Sequence, residues 1–194
     1  EFTNLQLSRF KESCAIIKQQ FPNIICHIAA TAGVLCLPES YLDMVRISSL
    51  LYGLTYTEYL PWGVKPILRW LAPVIHTRVY PADWNIGYRL LYKTSANQKI
   101  GVLAVGAGDS YPYSLRLKAD VLLHGKRCRV VGMALDQIMI DLSNAPETEV
   151  GDEAILIGAE GKDCITAEEL AKIAGSSAAE ILSKIPQRIP RCYI

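Results

Sequence analysis

The stretch that most constrains this chain covers residues 100–112. Ile100, Val102, Leu103 and Val105 set apolar side chains close together, so the stretch opens as a β-strand. It then breaks into Gly106-Ala107-Gly108-Asp109-Ser110, where two glycines let the backbone turn tightly or approach a ligand. Read locally, this is a hairpin loop inside a β domain. The alternative, a loop that carries chemistry, depends on the rest of the chain.

A length of 194 residues with 51% hydrophobic content fits one large or two small domains with a real core. The formal net charge of +1 gives no electrostatic case for nucleic acid. Six cysteines (Cys14, Cys26, Cys36, Cys128, Cys164 and Cys192) form no Cys-x-x-Cys pair. Most lie in apolar runs and read as buried thiols of a reducing, cytoplasmic compartment, with neither a disulfide frame nor a metal site expected. No apolar run reaches transmembrane length, so no membrane partner is expected. The opening Glu1-Phe2-Thr3-Asn4 carries neither an initiator methionine nor a signal peptide, and the chain reads as a fragment, a processed product or a recombinant piece.

Leu7, Phe10, Cys14, Ile17 and Phe21 recur at spacings of three and four with charged residues between them, which predicts an amphipathic helix closed by Pro22-Asn23. Residues 24–28, Ile-Ile-Cys-His-Ile, read as a strand covered on both faces, as in a parallel sheet. A short helix over 29–37 and a second strand over 41–47 follow. Strand, helix and strand at this interval suit an α/β barrel of TIM type, of which only about two units are present. The pattern changes at Trp62-Gly63-Val64-Lys65-Pro66. Beyond it, strands are expected over 67–79, 86–93, 100–105, 121–123, 126–133, 137–142 and 154–157, separated by turn signals, as in a β domain. Thr166-Ala167-Glu168-Glu169 and Ser177-Ala178-Ala179-Glu180 are capping boxes that open two short helices, the first stopping at Gly175. The expected division is a barrel remnant over 1–63 and a mainly β domain over 64–194.

Several motifs, in order, carry a family resemblance. They are His27-Ile28-Ala29-Ala30-Thr31-Ala32, Asp43-Met44-Val45-Arg46 with Tyr52-Gly53, Lys65-Pro66, and Gly106 through Pro112. Further on come Val131-Gly132-Met133-Ala134-Leu135-Asp136, Val150-Gly151-Asp152-Glu153 and Arg188-Ile189-Pro190-Arg191. Together they resemble the alanine racemases, pyridoxal 5′-phosphate enzymes that interconvert L- and D-alanine and so supply D-alanine for the peptidoglycan of the cell wall. The resemblance implies the last units of the cofactor-binding barrel followed by the C-terminal β domain. The cofactor's Schiff-base lysine belongs to the first barrel half, which this chain is expected to lack.

Carried over residue by residue, Arg46 matches the arginine that bonds the cofactor's ring nitrogen and His27 the histidine that supports it. Thr31 stands at a phosphate-binding serine, Ser48 at a glycine whose amide meets the phosphate, and Ser49 beside it. Leu135 replaces a methionine of the pair near the substrate carboxylate, and Asp136 is retained. Ala107 occupies the place of the catalytic tyrosine, which in the family reaches across a dimer and serves one face of the substrate. Gln187 replaces a tyrosine near the phosphate, and Arg89 a glycine after Tyr88. Tyr111 carries a phenol a little further along the loop, which would have to be rebuilt to aim it inward. Racemisation needs an acid/base group on each face of the substrate carbon. The isolated chain is therefore expected to be inactive, and to pair as a homodimer or with the missing barrel half. Two other readings stand beside this one: a non-catalytic racemase-like module for dimerisation or interaction, and a related serine or other amino acid racemase domain.

Overall fold

The computed structural model describes residues 1–54 and 63–194. The chain falls into two compact units, Glu1–Ile67 and Leu68–Ile194. Of the run at which the sequence pattern changes, Trp62 lies outside the described residues.

In the first unit, helix α1 (Phe2–Gln20) forms where the spacing places it and ends before Pro22, whose ring cannot continue a helix. Only Leu7 of its apolar stripe is buried; Phe10 and Cys14 are half-buried, and Ile17 and Phe21 are exposed. A short helix α2 (Thr31–Cys36) and two 3-10 turns (Pro38–Ser40 and Ser49–Tyr52) follow.

The strands expected over 24–28 and 41–47 are not present as a sheet. One backbone bond joins these runs, Asp43 N–H to the Cys26 carbonyl at 3.1 Å, and a second, Arg46 N–H to the Ala29 carbonyl at 3.0 Å, follows just past the first run. Between them the Cys26 N–H is taken by the Asp43 carboxylate at 2.9 Å, and that carboxylate also accepts from Lys18 at 2.8 Å. A side chain thus claims a donor that a strand ladder would use. Ile24 and Ile25 are exposed, so the covering expected on both faces is absent within this unit.

Further along the unit, Gly53 adopts φ +70, and a Cβ there would lie 2.1 Å from the Lys65 carbonyl oxygen. Tyr52-Gly53 and Lys65-Pro66 are therefore linked physically: the second passes where any side chain at 53 would stand.

The second unit is a closed β-barrel. Six strands, β1 (Trp70–Tyr80), β4 (Gln98–Leu103), β5 (Asp120–Leu123), β6 (Lys126–Met133), β7 (Ile138–Asp141) and β8 (Glu153–Glu160), run in the ring order β1-β4-β7-β6-β5-β8 and back to β1. Closure depends on strands that change partners. The first residues of β1 pair with β8, and those from Val74 onward pair with β4, with a bulge between Val74 and His76. In the same way β6 passes from β5 to β7, with an irregularity between Val130 and Gly132. Bulges bend strands and raise their twist, which lets a small sheet close and removes free edges. Leu103, Leu122, Leu123, Val130, Ile138, Ile140, Ile155 and Leu156 are buried in its core.

Two strand expectations change in this unit. Residues 86–93 are not one strand. A two-residue ladder of β2 (Asn85–Ile86) with β3 (Tyr92–Lys93) encloses a turn, because Gly87, Arg89 and Leu90 all take left-handed backbone. The sequence also hides β9 (Asp163–Ile165), which pairs with an extended β8. Helices α3 (Ala167–Ala174) and α4 (Ala178–Lys184) start where the capping boxes place them. The Thr166 hydroxyl accepts from Glu169 N–H at 3.0 Å and the Ser177 hydroxyl from Glu180 N–H at 3.2 Å. Arg127 ties β6 to β9 and α3, donating to Asp163 at 2.7 Å and Glu169 at 2.6 Å.

Candidate functional site

Two clusters hold the candidate residues, one in each unit. In the first unit, His27, Thr31, Arg46, Ser48 and Ser49 come from two segments, 27–31 and 46–49, that the Arg46–Ala29 backbone bond draws together. Thr31 opens α2 and is buried; its hydroxyl oxygen accepts from Ser48 N–H at 3.4 Å. Ser48 has φ −129, so its backbone makes no demand for glycine, and Ser49 beneath it is buried. Arg46 is exposed, and among the described residues its guanidinium makes no ion pair. The Nδ1 of His27 is buried and, among the described residues, has no hydrogen-bond partner. A polar atom buried and unpaired costs stability, and such atoms often mark sites that a bound group completes.

In the second unit, the loop after β4 forms a 3-10 turn over Ala107–Asp109. It sits against the chain that follows β6: Ala107 N–H donates to the Ala134 carbonyl at 3.0 Å, and Gly108 N–H to the Leu135 carbonyl at 2.7 Å. The glycines are there for closeness. A Cβ at 106 would lie 2.5 Å from backbone atoms of Leu135 and Asp136, and one at 108 would lie 2.7 Å from the Leu135 carbonyl oxygen. Ala107 thus meets Leu135 and Asp136, far from it in sequence, on one backbone-knit platform. The side chains of Leu135 and Asp136 are exposed there, and Ala107 is half-buried.

Tyr111 is not an alternative proton carrier on this platform. Its ring is fully buried edge-on against Trp70, with centroids 5.8 Å apart. Burial pushes the phenol well above its ordinary value, and the Asp120 and Glu169 carboxylates add to the effect. Its hydroxyl is buried and, among the described residues, has no partner.

In the sequence Arg188 stands only as part of a family motif and Asp109 has no assigned role, yet both touch this loop. Arg188 donates to the Gly108 carbonyl and to Asp109 Oδ1, the latter at 2.7 Å. The other Asp109 oxygen accepts from Gly106 N–H at 2.9 Å. The Arg188-x-Pro-Arg191 spacing was the available signal. Arg191 holds its own turn by donating to the Ile185 and Ile189 carbonyls, which leaves Arg188 to reach the loop. Among the described residues, no group of three or more His, Cys, Asp or Glu is placed to hold a metal ion, and no helix is long and apolar enough to cross a membrane.

A barrel of this topology, carrying a glycine-seated loop and preceded by a helical unit with a hydroxyl-and-arginine cluster, defines a two-part class of protein, and comparison with known proteins identifies it. The family pattern described as alanine racemase, C-terminal domain, matches residues 67–193, and that described as alanine racemase, N-terminal domain, matches residues 1–56. An alanine racemase of Methylacidiphilum infernorum is 38% identical over 91% of this chain and 46% of its own length. One of Symbiobacterium thermophilum is 37% identical over 99% of this chain and 52% of its own length. Among solved structures, alanine racemase from Bacillus anthracis with bound L-Ala-P superposes with a TM-score of 0.90 at 29% identity, covering 100% of this chain and 51% of that one. Alanine racemase from Bartonella henselae with covalently bound pyridoxal phosphate gives 0.85 at 26% identity, covering 100% of this chain and 52% of that one. The chain belongs to the alanine racemase family. It has that family's fold, part of the N-terminal domain followed by the C-terminal β domain, and spans about half the length of the curated relatives it matches.

Proposed function

We propose that this chain is the C-terminal part of a pyridoxal-phosphate-dependent alanine racemase, with residues 1–63 the end of a TIM-type barrel and 64–194 the C-terminal β domain. The observation that carries the reading is the first-unit cluster, where the positions matching the family's cofactor contacts come together. The residues fit the cofactor. Thr31 offers a hydroxyl beside the Ser48 amide, and among the described residues Arg46 makes no ion pair and the buried His27 Nδ1 has no partner. Thr31, Ser48 and Ser49 would hold the phosphate. Arg46 would donate to the ring nitrogen; because arginine only donates, that nitrogen would stay unprotonated. His27 would steady Arg46. When bound, the cofactor supplies an electron sink for the substrate carbon.

Leu135 and Asp136 would border the substrate carboxylate. On the loop face, the methyl of Ala107 can neither take nor give a proton, and losing a positioned acid/base group typically costs about 10²–10⁴ in rate. We therefore expect no measurable racemisation of L-alanine by this chain alone. Its partner is a second copy or the remaining barrel half, matching the exposed Ile16, Ile17, Phe21 and Ile25 of the first unit. The product, D-alanine, suits cytoplasmic supply of peptidoglycan precursors. Ala107 also favours a second reading, a racemase-like module kept for association without catalysis.

Absorbance and racemisation assays separate the two. Joined to the preceding half of the barrel, the chain binds the cofactor through Arg46 and Thr31, and Arg46→Ala with Thr31→Ala weakens that binding; turnover at normal speed further requires Ala107→Tyr. Failure of the joined protein to bind the cofactor leaves the association reading. Normal alanine racemisation with Ala107 in place refutes the role given to position 107.

A further inference from the structure

We infer that Arg188 and Asp109 form a clamp that fixes the 106–110 loop against residues 134–136, and so sets the aim of whatever side chain stands at 107. The assignment deepens the reading of that loop as the racemase site loop and rests on it.

The geometry is specific. Asp109 divides its two carboxylate oxygens. One accepts from Gly106 N–H at 2.9 Å and closes the turn from inside; the other accepts from Arg188 at 2.7 Å. The Arg188 nitrogen that meets Asp109 also donates to the Gly108 carbonyl, so a single group holds the turn at its side chain and its backbone. On the opposite side, the Ala107 and Gly108 amides are bonded to the Ala134 and Leu135 carbonyls. The loop is therefore gripped from two directions, and the residue between the grips is 107.

The side chain of Asp109 is only 18% exposed, whereas that of Arg188 is 59% exposed. The carboxylate is thus held in the loop, and the arginine is the part that arrives. It arrives from the C-terminal tail, where Pro186, Ile189 and Arg191 form a self-bonded turn: Ile189 N–H donates to the Pro186 carbonyl at 3.1 Å, and Arg191 donates to Ile189 and Ile185. The tail turn points one long donor at one loop. Charge-assisted bonds of this kind are stronger than neutral ones, and functional side chains need such support to hold their geometry. Arg188 is a positioning residue, since it acts through the loop and not on substrate.

Backbone amide hydrogen exchange on the full chain tests this. Arg188→Ala should speed exchange at the Gly106, Ala107 and Gly108 amides roughly tenfold. The barrel amides of Val130 and Leu142, bonded to the Ala119 and Lys99 carbonyls, should be unchanged. Asp109→Asn should give the same local pattern, the double variant should be no worse than either single, and Arg188→Lys should recover most of the protection. No change at the three loop amides, an equal acceleration throughout the barrel, or additive single effects would overturn the clamp. A separate arm tests the parent reading: Ala107→Tyr in the protein joined to its preceding barrel half, assayed for racemisation with and without Arg188→Ala. If Ala107→Tyr adds no activity while the exchange pattern holds, the role of position 107 fails and the clamp stands. If it adds activity that Arg188→Ala lowers in kcat with little change in KM, both stand.

Discussion

A Gly106→Ala substitution measures how firmly the loop is seated on the barrel. Gly106 has φ −151, extended backbone that alanine adopts freely, so the change carries no conformational penalty. The added Cβ would instead lie 2.5 Å from the Leu135 carbonyl carbon and oxygen and from the Asp136 nitrogen. These are backbone atoms and cannot rotate aside. Restoring an ordinary contact of about 3.5 Å means lifting the loop by roughly 1 Å. That movement breaks or stretches the bonds of the Ala107 and Gly108 amides, now 3.0 and 2.7 Å long. Each such bond contributes about 0.5–1.5 kcal/mol, so the expected loss is about 1–3 kcal/mol. In urea denaturation followed by circular dichroism, with a slope of about 2 kcal/mol/M, the midpoint falls by about 0.5–1.5 M. Gly125→Ala is the control. Gly125 has φ +69 and nothing within 4 Å of an added Cβ, so alanine there incurs only the left-handed backbone penalty, about 1 kcal/mol. A Gly106→Ala loss below about 0.5 kcal/mol, or below that of Gly125→Ala, would mean that the loop yields freely and that the seating argument is wrong.

Arg89 sits at φ +64, so Arg89→Gly relieves left-handed strain of about 1–2 kcal/mol and gives back about 0.5–1 kcal/mol in unfolded-chain entropy; the urea midpoint should rise slightly, and a fall would refute the strain. Tyr111→Phe keeps the ring against Trp70 and removes an unpaired buried hydroxyl, so stability should hold or increase by about 1 kcal/mol; a loss of that size would mean that the hydroxyl has a partner. The Asp43 carboxyl is held below its ordinary value of 3.8, first by Lys18 and then by the Cys26 amide. Its contribution is therefore complete above about pH 4 and is lost as pH falls through the lowered value, so Asp43→Asn should flatten the acid-side decline in stability, and an unchanged slope would count against the pairing.

The barrel unit was legible in sequence because its strands alternate and its turns are marked. Residues 126–133 form β6 with the expected bounds, since His124-Gly125 closes one end and the platform chain begins at the other. Where the reading missed, a local pattern was outvoted by a non-local requirement. Residues 86–93 keep apolar side chains at every second position, yet Gly87 at φ +73 turns the chain before a strand can extend. Asp163–Ile165 is too short to show a period and exists because β8 offers it an edge. The run over 24–28 has strand composition, but a strand is a set of bonds to neighbours, and here Asp43 takes the amide that a neighbour would need.

The site was legible in the positions that seat it and opaque in those that hold it. Gly106 and Gly108 announce themselves, because only glycine admits the Leu135 backbone so closely. Arg188 and Asp109 are separated by most of the barrel and meet only once it closes. None of these contacts uses the side chain at 107, which is bonded only through its backbone, its N–H to Ala134 and its carbonyl from Ser110 N–H. The bonds that shape the turn are therefore independent of the side chain at 107, so on the reading proposed above an alanine there would lack a proton carrier and leave the turn intact. That independence is compatible with a loop whose glycines, aspartate and clamping arginine are in place around a methyl group at 107. On the proposed reading, a tyrosine placed at 107 meets a turn whose backbone bonds are already made, which is why Ala107→Tyr is the substitution that tests it.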